Sequence, residues 1–372
     1  MVMKENHFSP RTKEAFHDVL KSLPKGERQY VVSDCDGTLL FGDSQYVLTN
    51  DQIEYLNFAF KPEELTDIFK AGNEDKWTIE RNGISIPFLL EKIQEDYSYL
   101  YKRGYVSKDP KNFLRAASWQ KDPIFIDFKI RLHHLLDKIY SLWGYEASAY
   151  GVYALFKGFT IEEYKTLSSL SHMRHSKIKG LLQRSYLYPD TNEKVSYLDG
   201  LHPIEEMKEL LYELERRGID VYVASASPEE TVKDALKLFA FPSSVQVYGI
   251  ANKIDSQGKI TAFKEKQEHA SPILYGKVET IEKYMAPLYQ GRPPLMVFGD
   301  SEGDVAMLTH FKDSNLSLLF DDGSPSKTDS IKERAREQEQ KNGFGEEKIF
   351  LLEGKNNPKA CLTGTSTSIF FD

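Results

Sequence analysis

The stretch VVSDCDGTLL, residues 31–40, decides the fold and raises the first question about function. Its apolar, β-branched start predicts a short buried strand, which ends where a polar turn begins. Two carboxylates, Asp34 and Asp36, come directly after this strand. Like charges at this separation repel each other, so folding alone gives little reason to keep both. The pair therefore predicts a positively charged or reactive partner at the end of the strand.

Further along the chain, strand-like and helix-like segments alternate. After residue 195, short apolar segments rich in β-branched residues are separated by segments of helical period. The predicted strands are IDVYVAS, SVQVYGI, PLMVFG, NLSLLFDD and KIFLLEG, and GKITAF is expected to close a β-hairpin with SVQVYGI across the turn-like NKIDSQGK. Such alternation is typical of βαβ units. The predicted fold class is α/β, with a doubly wound, mostly parallel, Rossmann-like sheet.

Residues 41–195 differ from the rest of the chain in the pattern of their apolar residues. Aromatic and Leu-rich segments of helical period follow one another there with few strand signals. This pattern predicts a large helical domain, residues 41–195, inserted after the first strand of a core made of residues 1–40 and 196–372. Ligands of open α/β sheets bind beyond the carboxyl ends of the strands, so the insertion would lie over the site as a lid.

The composition narrows the class of protein. The chain has 372 residues, 40% of them hydrophobic and 28% charged, which is ordinary for a globular protein. A formal charge of −8 argues against nucleic acid as a partner, because no basic surplus is available for a phosphate backbone. No apolar run approaches the roughly 20 residues of a membrane span, and no signal peptide is visible. We expect a cytoplasmic protein, or one exported without a visible cleavable signal; no pattern predicts its oligomeric state.

Polar residues recur where other predicted elements end or begin. Ser225 follows the strand IDVYVA, Lys277 opens the helix KVETIEKYM, and the segment GDSEGD places Asp300 and Asp304 after the strand LMVFG. Each feature alone has an ordinary explanation, such as a helix cap or a surface lysine. Together, each at the edge of an element, they converge on one crevice in a doubly wound sheet.

Phosphoryl transfer is the chemistry that these residue types favour. A carboxylate can attack phosphorus and form an aspartyl-phosphate, which divides one difficult displacement into two easier ones. Lys277 and Ser225 would supply a cation and a hydroxyl donor for the phosphoryl oxygens. Asp34, Asp300 and Asp304 are hard oxygen ligands suited to Mg²⁺. Asp36 would protonate the leaving oxygen and later deprotonate water.

This constellation resembles the haloacid dehalogenase-like hydrolase superfamily, within it the phosphoserine phosphatase-like branch. The four matching motifs are DCDGT, the Ser of VASAS, the Lys of GKVETI, and GDSEGD. The resemblance implies Asp34 as nucleophile, Asp36 as general acid/base, and Ser225, Lys277 and Thr38 as substrate-binding residues. It also implies Mg²⁺ held by Asp34, the Asp36 carbonyl oxygen and Asp300, with Asp304 as a ligand or as a support behind the ligands.

The same resemblance bears on the substrate. Caps inserted between the first and second motifs favour small substrates, because closure excludes large partners. Where phosphoserine phosphatases place a Glu that meets the substrate amine, this chain has Asp43; where they place Asn in the fourth motif, it has Gly303. A closer likeness is to bacterial phosphorylcholine phosphatases, which hold a quaternary ammonium between aromatic faces. Trp77, Trp119 and Trp143 all fall inside the inserted segment and are candidates for such a cage.

The predicted function is that of a Mg²⁺-dependent phosphomonoesterase acting, through an aspartyl-phosphate, on a small amine-bearing ester such as phosphocholine. Two alternatives stay open. One is a phosphatase for phosphoserine, or for phosphotyrosine or phosphoserine in proteins. The other is a ligand-binding module on the same scaffold that performs no turnover.

Overall fold

The computed structural model describes residues 7–23, 26–114, 118–191, 193–264, 268–321, 323, 327–341, 344 and 347–371. The helices are α1 (Pro10–Lys21), α2 (Ser44–Glu54), α3 (Leu65–Lys70), α4 (Ile86–Lys102), α5 (Pro123–Trp143), α6 (Tyr145–Ala154), α7 (Ile161–His175), α8 (Glu205–Arg216), α9 (Glu229–Leu238), α10 (Gly276–Thr280), α11 (Val305–His310) and α12 (Asp329–Glu339). The strands are β1 (Gln29–Ser33), β2 (Leu40–Phe41), β3 (Glu80–Arg81), β4 (Ile84–Ser85), β5 (Leu182–Leu187), β6 (Lys194–Asp199), β7 (His202–Pro203), β8 (Ile219–Pro228), β9 (Gln246–Ile250), β10 (Asn252–Ile254), β11 (Ile260–Phe263), β12 (Met296–Gly299), β13 (Leu316–Asp321), β14 (Ile349–Asn356) and β15 (Cys361–Leu362).

A seven-stranded sheet in the order β15-β14-β13-β12-β1-β8-β9 forms the centre of the molecule. Only β15 runs antiparallel to its neighbour; the other adjacent strands are parallel. Strand β1 lies between β12 and β8, with Val32 opposite Val297 on one side and Tyr222 on the other. The predicted α/β class and doubly wound, mostly parallel sheet are confirmed.

Helices cover both faces of this sheet, as alternation along the strands requires. Val31 of β1 packs with Phe16 of α1 and Met207 of α8 in one hydrophobic layer. Its neighbour Val32 points to the other face, into a layer that includes Met307 of α11. Because both faces are buried, the carboxyl-terminal edge of the sheet is left as the place for polar groups.

The segment between β2 and β7 contributes α2 to α7 and has a hydrophobic cluster largely of its own. Leu90 of α4 and Leu135 of α5 are at its centre. The segment is less purely helical than predicted, because it also contains the antiparallel pairs β3–β4 and β5–β6. Most residues of β5 and β6 are exposed or half-buried, so no apolar run marked them in the sequence. Strand β6 continues through residue 195, the predicted boundary.

The two connections between the main sheet and the helical segment run side by side. Strand β2 pairs antiparallel with β7, with Leu40 opposite Pro203. Just beyond, Gly42 has φ +86° and approaches the carbonyl of Gly200 so closely that an added Cβ would lie 2.3 Å from that oxygen. This crossing starts α2 at the carboxyl end of β1, directly above the predicted site.

A hairpin from the second part of the chain reaches the helical segment. Strands β10 and β11 pair antiparallel, whereas SVQVYGI, which we expected to form one arm, becomes β9 of the main sheet. The amide of Gly158 donates to the carbonyl of Ile260 at 2.8 Å, and the Ile260 amide donates to the carbonyl of Phe159 at 2.7 Å. The hairpin predicted around NKIDSQGK therefore exists, with a shorter first arm that also contacts the helical segment.

Candidate active site

Most of the predicted site residues meet at the carboxyl ends of three adjacent strands. Asp34 follows β1, Ser225 lies near the end of β8, and Asp300 follows β12. These three side chains, with Asp36 and Asp43, line a cavity of about 560 Å³. Neighbouring parallel strands place their ends at one edge, so residues far apart in sequence come together there.

Lys277 forms the centre of the charged groups beneath this cavity. Its Nζ lies 2.7 Å from Asp34 Oδ1 and 2.6 Å from Asp304 Oδ1. Burial works against the charged ammonium, but the carboxylates of Asp304 and Asp34 outweigh this and raise the pKa of Lys277 above its ordinary value. Lys277 is 2% exposed and does not line the cavity. It is therefore a fixed positive charge directly behind Asp34.

Three carboxylates form a cluster suited to a metal ion. Oxygen atoms of Asp34, Asp300 and Asp304 all lie within 4.8 Å of one another. Burial, followed by the Asp304 carboxylate, raises the pKa of Asp34, while Lys277 opposes the rise. A divalent cation beside these oxygens would favour their charged form, and Mg²⁺ prefers such hard donors. The donor set fits the predicted magnesium ion.

The turn after β1 is shaped around this cluster. Gly37 has φ +73°, and a Cβ built on it would lie 1.8 Å from Asp300 Oδ2. Any other residue would therefore both strain the backbone and displace the Asp300 carboxylate. Asp304 Oδ2 accepts the amides of Asp300 at 3.0 Å and Ser301 at 3.1 Å. With its other oxygen on Lys277, Asp304 supports the loop from behind.

Asp36 is held in surroundings quite different from those of Asp34. Its Oδ1 accepts the amide of Ser44 at 2.7 Å, and its Oδ2 accepts the hydroxyl of Ser227 at 2.6 Å. The amide of Ser227 donates to Ser225 Oγ at 3.1 Å. His172 Nε2 lies 3.0 Å from the Ser44 carbonyl oxygen and so supports the start of α2. The two carboxylates of the opening motif therefore contact separate sets of partners.

Asp43 and Thr38, both predicted to bind substrate, lie in different surroundings. Asp43 lines the cavity, but it also caps α2, where its Oδ1 accepts the amides of Gln45 at 2.9 Å and Tyr46 at 2.7 Å. Burial and the nearby Asp36 raise the pKa of Asp43. Thr38 is fully buried and does not line the cavity, and its hydroxyl has no hydrogen-bond partner among the described residues. Thr38 is therefore not placed to contact a ligand in this cavity.

Lys355 is a second buried ammonium that sequence reasoning missed. It comes from β14, is 4% exposed and lines the cavity. Its Nζ donates to the Gly37 carbonyl at 3.0 Å and to Asp300 Oδ2 at 3.1 Å. The signal was present in the sequence, because Lys355 follows the predicted strand KIFLLEG just as Asp34 follows its strand.

Among the described residues, five tyrosines, with Phe41 and His133 but no tryptophan, form the aromatic part of the cavity wall. The tyrosines are Tyr46, Tyr140, Tyr145, Tyr153 and Tyr197. The ring of Trp143 lies 6.0 Å from that of Trp77, tilted by 44°, and the ring of Trp119 lies 5.8 Å from that of Tyr105. All three tryptophans lie within or against the hydrophobic cluster of the helical segment. The cage expected from Trp77, Trp119 and Trp143 is not formed, because these rings are used for packing.

Comparison with known proteins agrees with the predicted fold. The sequence model of the haloacid dehalogenase-like hydrolases matches residues 131–309, a range that contains Ser225, Lys277, Asp300 and Asp304. None of the curated proteins compared with the chain matches it. Among the described residues, no helix has the length and apolar character needed to cross a membrane.

One solved structure shares the fold over nearly the whole chain. A conserved functionally unknown protein from Anaerococcus prevotii DSM 20548 is 21% identical, with 99% of this chain and 98% of that chain covered and a TM-score of 0.77. Cytosolic 5′-nucleotidase IIIB bound to cytidine is 14% identical, with 96% and 87% covered and a TM-score of 0.40. A substrate-bound phosphoserine phosphatase is 13% identical, with 80% and 87% covered and a TM-score of 0.35. The chain thus has the fold of the Anaerococcus protein and, over residues 131–309, is similar in sequence to the haloacid dehalogenase-like hydrolases.

Proposed function

We propose that this chain is a Mg²⁺-dependent phosphomonoesterase that hydrolyses small phosphate esters through an aspartyl-phosphate on Asp34. One observation carries the proposal: the Lys277 ammonium bridges Asp34 and Asp304 immediately behind the cavity wall, in the same cluster as Asp300. The sequence match to a hydrolase family over residues 131–309 supports the same reaction class.

The residues divide the reaction between them. Asp34 attacks phosphorus, its bond to phosphorus forms as the ester P–O bond breaks, and Asp36 gives its proton to the leaving oxygen. Water then attacks phosphorus, Asp36 takes a proton from it, and orthophosphate leaves as the Asp34 carboxylate is restored. A magnesium ion held by Asp34, Asp300 and the Asp36 carbonyl oxygen would neutralise phosphate charge during both steps. Ser225, at the cavity wall, would donate to a phosphoryl oxygen.

The substrate we propose is small and carries a cation, as phosphocholine does. Residues 41–195 would act as a cap over a core of residues 1–40 and 196–372. The cavity of about 560 Å³ would then admit a metabolite more readily than a phosphorylated protein. The carboxyl groups of Asp43 and the exposed Asp137 lie along its wall, and a substrate cation beside Asp43 would favour the charged form of that group. The wall tyrosines supply faces for cation–π contacts, which contribute about 0.5–2 kcal/mol each.

The test is phosphate release by the purified chain with Mg²⁺. The panel would contain p-nitrophenyl phosphate, phosphocholine, phosphoethanolamine, phosphoserine, sugar phosphates and a phosphotyrosine peptide. We expect release from the small esters, fastest from the cationic ones, and none after chelation by EDTA. Asp34→Asn should lower kcat by at least about a thousandfold, because no nucleophile remains. Asp36→Asn should slow phosphocholine more than p-nitrophenyl phosphate, whose leaving group needs no proton.

The outcomes separate the alternatives. Release from no ester in the panel would contradict the proposal, and ligand binding by both the parent and Asp34→Asn without turnover would favour a binding module. Faster turnover of the phosphopeptide than of every small ester would favour a protein phosphatase.

A further inference from the structure

Tyr145, the first residue of α6, brings a hydroxyl from the helical segment to the carboxylate cluster. An ideal Cβ built on Gly303 would lie 2.7 Å from the Tyr145 hydroxyl oxygen and 3.1 Å from its Cζ. Gly303 stands in the short turn Glu302–Asp304, one residue before the carboxylate that holds Lys277. The phenol therefore occupies the space that the side chain of any other residue at position 303 would fill.

The Tyr145 hydroxyl is available to a ligand. Tyr145 lines the cavity, and the hydroxyl makes no hydrogen bond with any residue that the structure describes. Burial, partly opposed by Lys277, raises the pKa of this phenol above its ordinary value. A phenol of ordinary pKa, about 10, is already protonated at neutral pH, so this hydroxyl can act as a hydrogen-bond donor.

The neighbours of this hydroxyl define what it can bind. Lys277, Asp304, Asp34 and Asp300 are the charged groups that interact electrostatically with it. A donor beside a buried ammonium and a proposed nucleophile suits an anion placed between them, whereas a cationic group would meet Lys277 there. The phosphoryl end of a substrate fits these neighbours.

We propose that Tyr145 is a substrate-binding residue whose hydroxyl donates a hydrogen bond to the transferring phosphoryl group, in a space that Gly303 keeps open. This inference rests on the proposed function and adds to it a contribution from the helical segment to phosphate binding. Tyr140 of α5 donates to Glu302 Oε1 at 2.6 Å, which ties the helical segment to the same turn and keeps the phenol near it. The phosphate site is thus complete only when α6 lies against the turn Glu302–Asp304.

The experiment uses Tyr145→Phe, which removes the hydroxyl and keeps the ring. With Mg²⁺ present, calorimetry measures orthophosphate binding and steady-state assays measure kcat/KM for p-nitrophenyl phosphate. A hydrogen bond to a charged oxygen predicts that both fall by roughly 10- to 100-fold. Tyr99→Phe is the matched control, because its hydroxyl contacts Asp122 Oδ2 at 3.3 Å inside the helical segment, away from the cavity. It should match the parent protein in both measurements.

A second substitution tests the role of Gly303. Gly303→Ala places a methyl group 2.7 Å from the hydroxyl oxygen, which must move away, so it should reduce phosphate affinity about as much as Tyr145→Phe. In the Tyr145→Phe background the same change should add less than about twofold, because the hydroxyl is already gone. Fully additive effects would contradict the shared space.

The two proposals can fail separately. If Tyr145→Phe binds orthophosphate and turns over within twofold of the parent, the Tyr145 inference is wrong and the phosphatase proposal stands. If the parent binds orthophosphate but hydrolyses no ester, the phosphatase proposal is wrong, and loss of binding in Tyr145→Phe still supports Tyr145. If the parent neither binds orthophosphate nor hydrolyses an ester, both are overturned.

Discussion

Asp43 combines a structural contact with a place on the cavity wall, and the two can be separated by substitution. Its carboxylate caps α2 through the amides of Gln45 and Tyr46. An Asn side chain keeps an oxygen for those amides but carries no charge, whereas Ala removes both. A residue that only caps the helix would tolerate Asn; one that also attracts a substrate cation would not.

We therefore expect Asp43→Asn to raise KM for phosphocholine by about threefold to tenfold, through loss of one charge–charge attraction. It should leave KM for p-nitrophenyl phosphate and the free energy of unfolding nearly unchanged. Asp43→Ala should show the same change in KM and lose about 1 kcal/mol of stability from the missing cap. Steady-state kinetics and urea unfolding measure these values. Equal changes in KM for both substrates in Asp43→Asn would mean that this carboxylate meets no substrate cation.

Lys355 belongs to the charge balance of the carboxylate cluster. Its ammonium pairs with Asp300 Oδ2 at 3.1 Å, with the two side chains 5% and 12% exposed. Lys332 and Asp321 form a comparable buried pair at 2.7 Å, 8% and 13% exposed, outside that cluster. The chain thus provides its own control for the loss of a buried lysine.

We expect Lys355→Met to unfold at a lower temperature than the parent without metal, and Mg²⁺ to raise its Tm by more than it raises the parent's. The reason is that the cluster, left with one ammonium fewer, gains more from a dication that binds only the folded state. Lys332→Met should also lose stability, but its response to Mg²⁺ should equal the parent's. Thermal unfolding with and without Mg²⁺ decides this. A smaller Mg²⁺ shift in Lys355→Met would indicate that Lys355 orients Asp300 more than it balances charge.

At the scale of elements, α1 is fastened to the sheet by a buried carboxylate. Glu353 of β14 accepts the amide of Ser9, the N-cap of α1, at 2.9 Å through Oε1. Burial raises the pKa of Glu353 above its ordinary 4.5, although hydrogen bonds from Ser9 and Thr12 oppose the rise. A carboxyl group with a higher pKa in the folded state binds its proton more tightly there. Its contribution to stability therefore falls as pH rises above the unfolded-state value.

Glu353→Gln removes this titration and keeps an oxygen for the Ser9 amide. The free energy of unfolding of the variant minus that of the parent should therefore be more positive at pH 8 than at pH 5. Urea unfolding of both proteins at the two pH values measures the difference, and titrations common to both cancel. The same parent–variant difference at both pH values would show that the Glu353 pKa is not raised by folding.

The elements that the sequence predicted well are those with a local signal. Buried parallel strands such as β1 and β12 appear as short apolar runs, and a polar residue after such a run marks the carboxyl edge. Strands β5 and β6 had no such run, because most of their residues are exposed or half-buried. Strand β9 was assigned to the hairpin, because adjacency in sequence does not reveal that it pairs with β8.

At the scale of the whole molecule, the sequence predicted only those site residues that stand at the end of a predicted strand or at the start of a predicted helix. Asp34 and Asp300 follow strands, and Lys277 opens a helix, so their convergence followed from the topology of a parallel sheet. Tyr145 has no such local signal, since its role depends on where α6 lies relative to the turn Glu302–Asp304. The tryptophans, conversely, were conspicuous in the sequence but pack inside the helical segment.

The hairpin β10–β11 bears on how the cavity can open. The helical segment is continuous with the sheet through β2 and β7, and the hairpin adds a third attachment through the backbone of Gly158, Phe159 and Ile260. In addition, Phe263 of the hairpin packs 5.3 Å from the ring of Tyr153, which lines the cavity. If the helical segment is the proposed cap, this second attachment would restrict the extent of its opening. For a ligand to enter or leave, the hairpin would have to move together with the cap, or the hydrogen bonds between Ile260 and residues 158–159 would have to break.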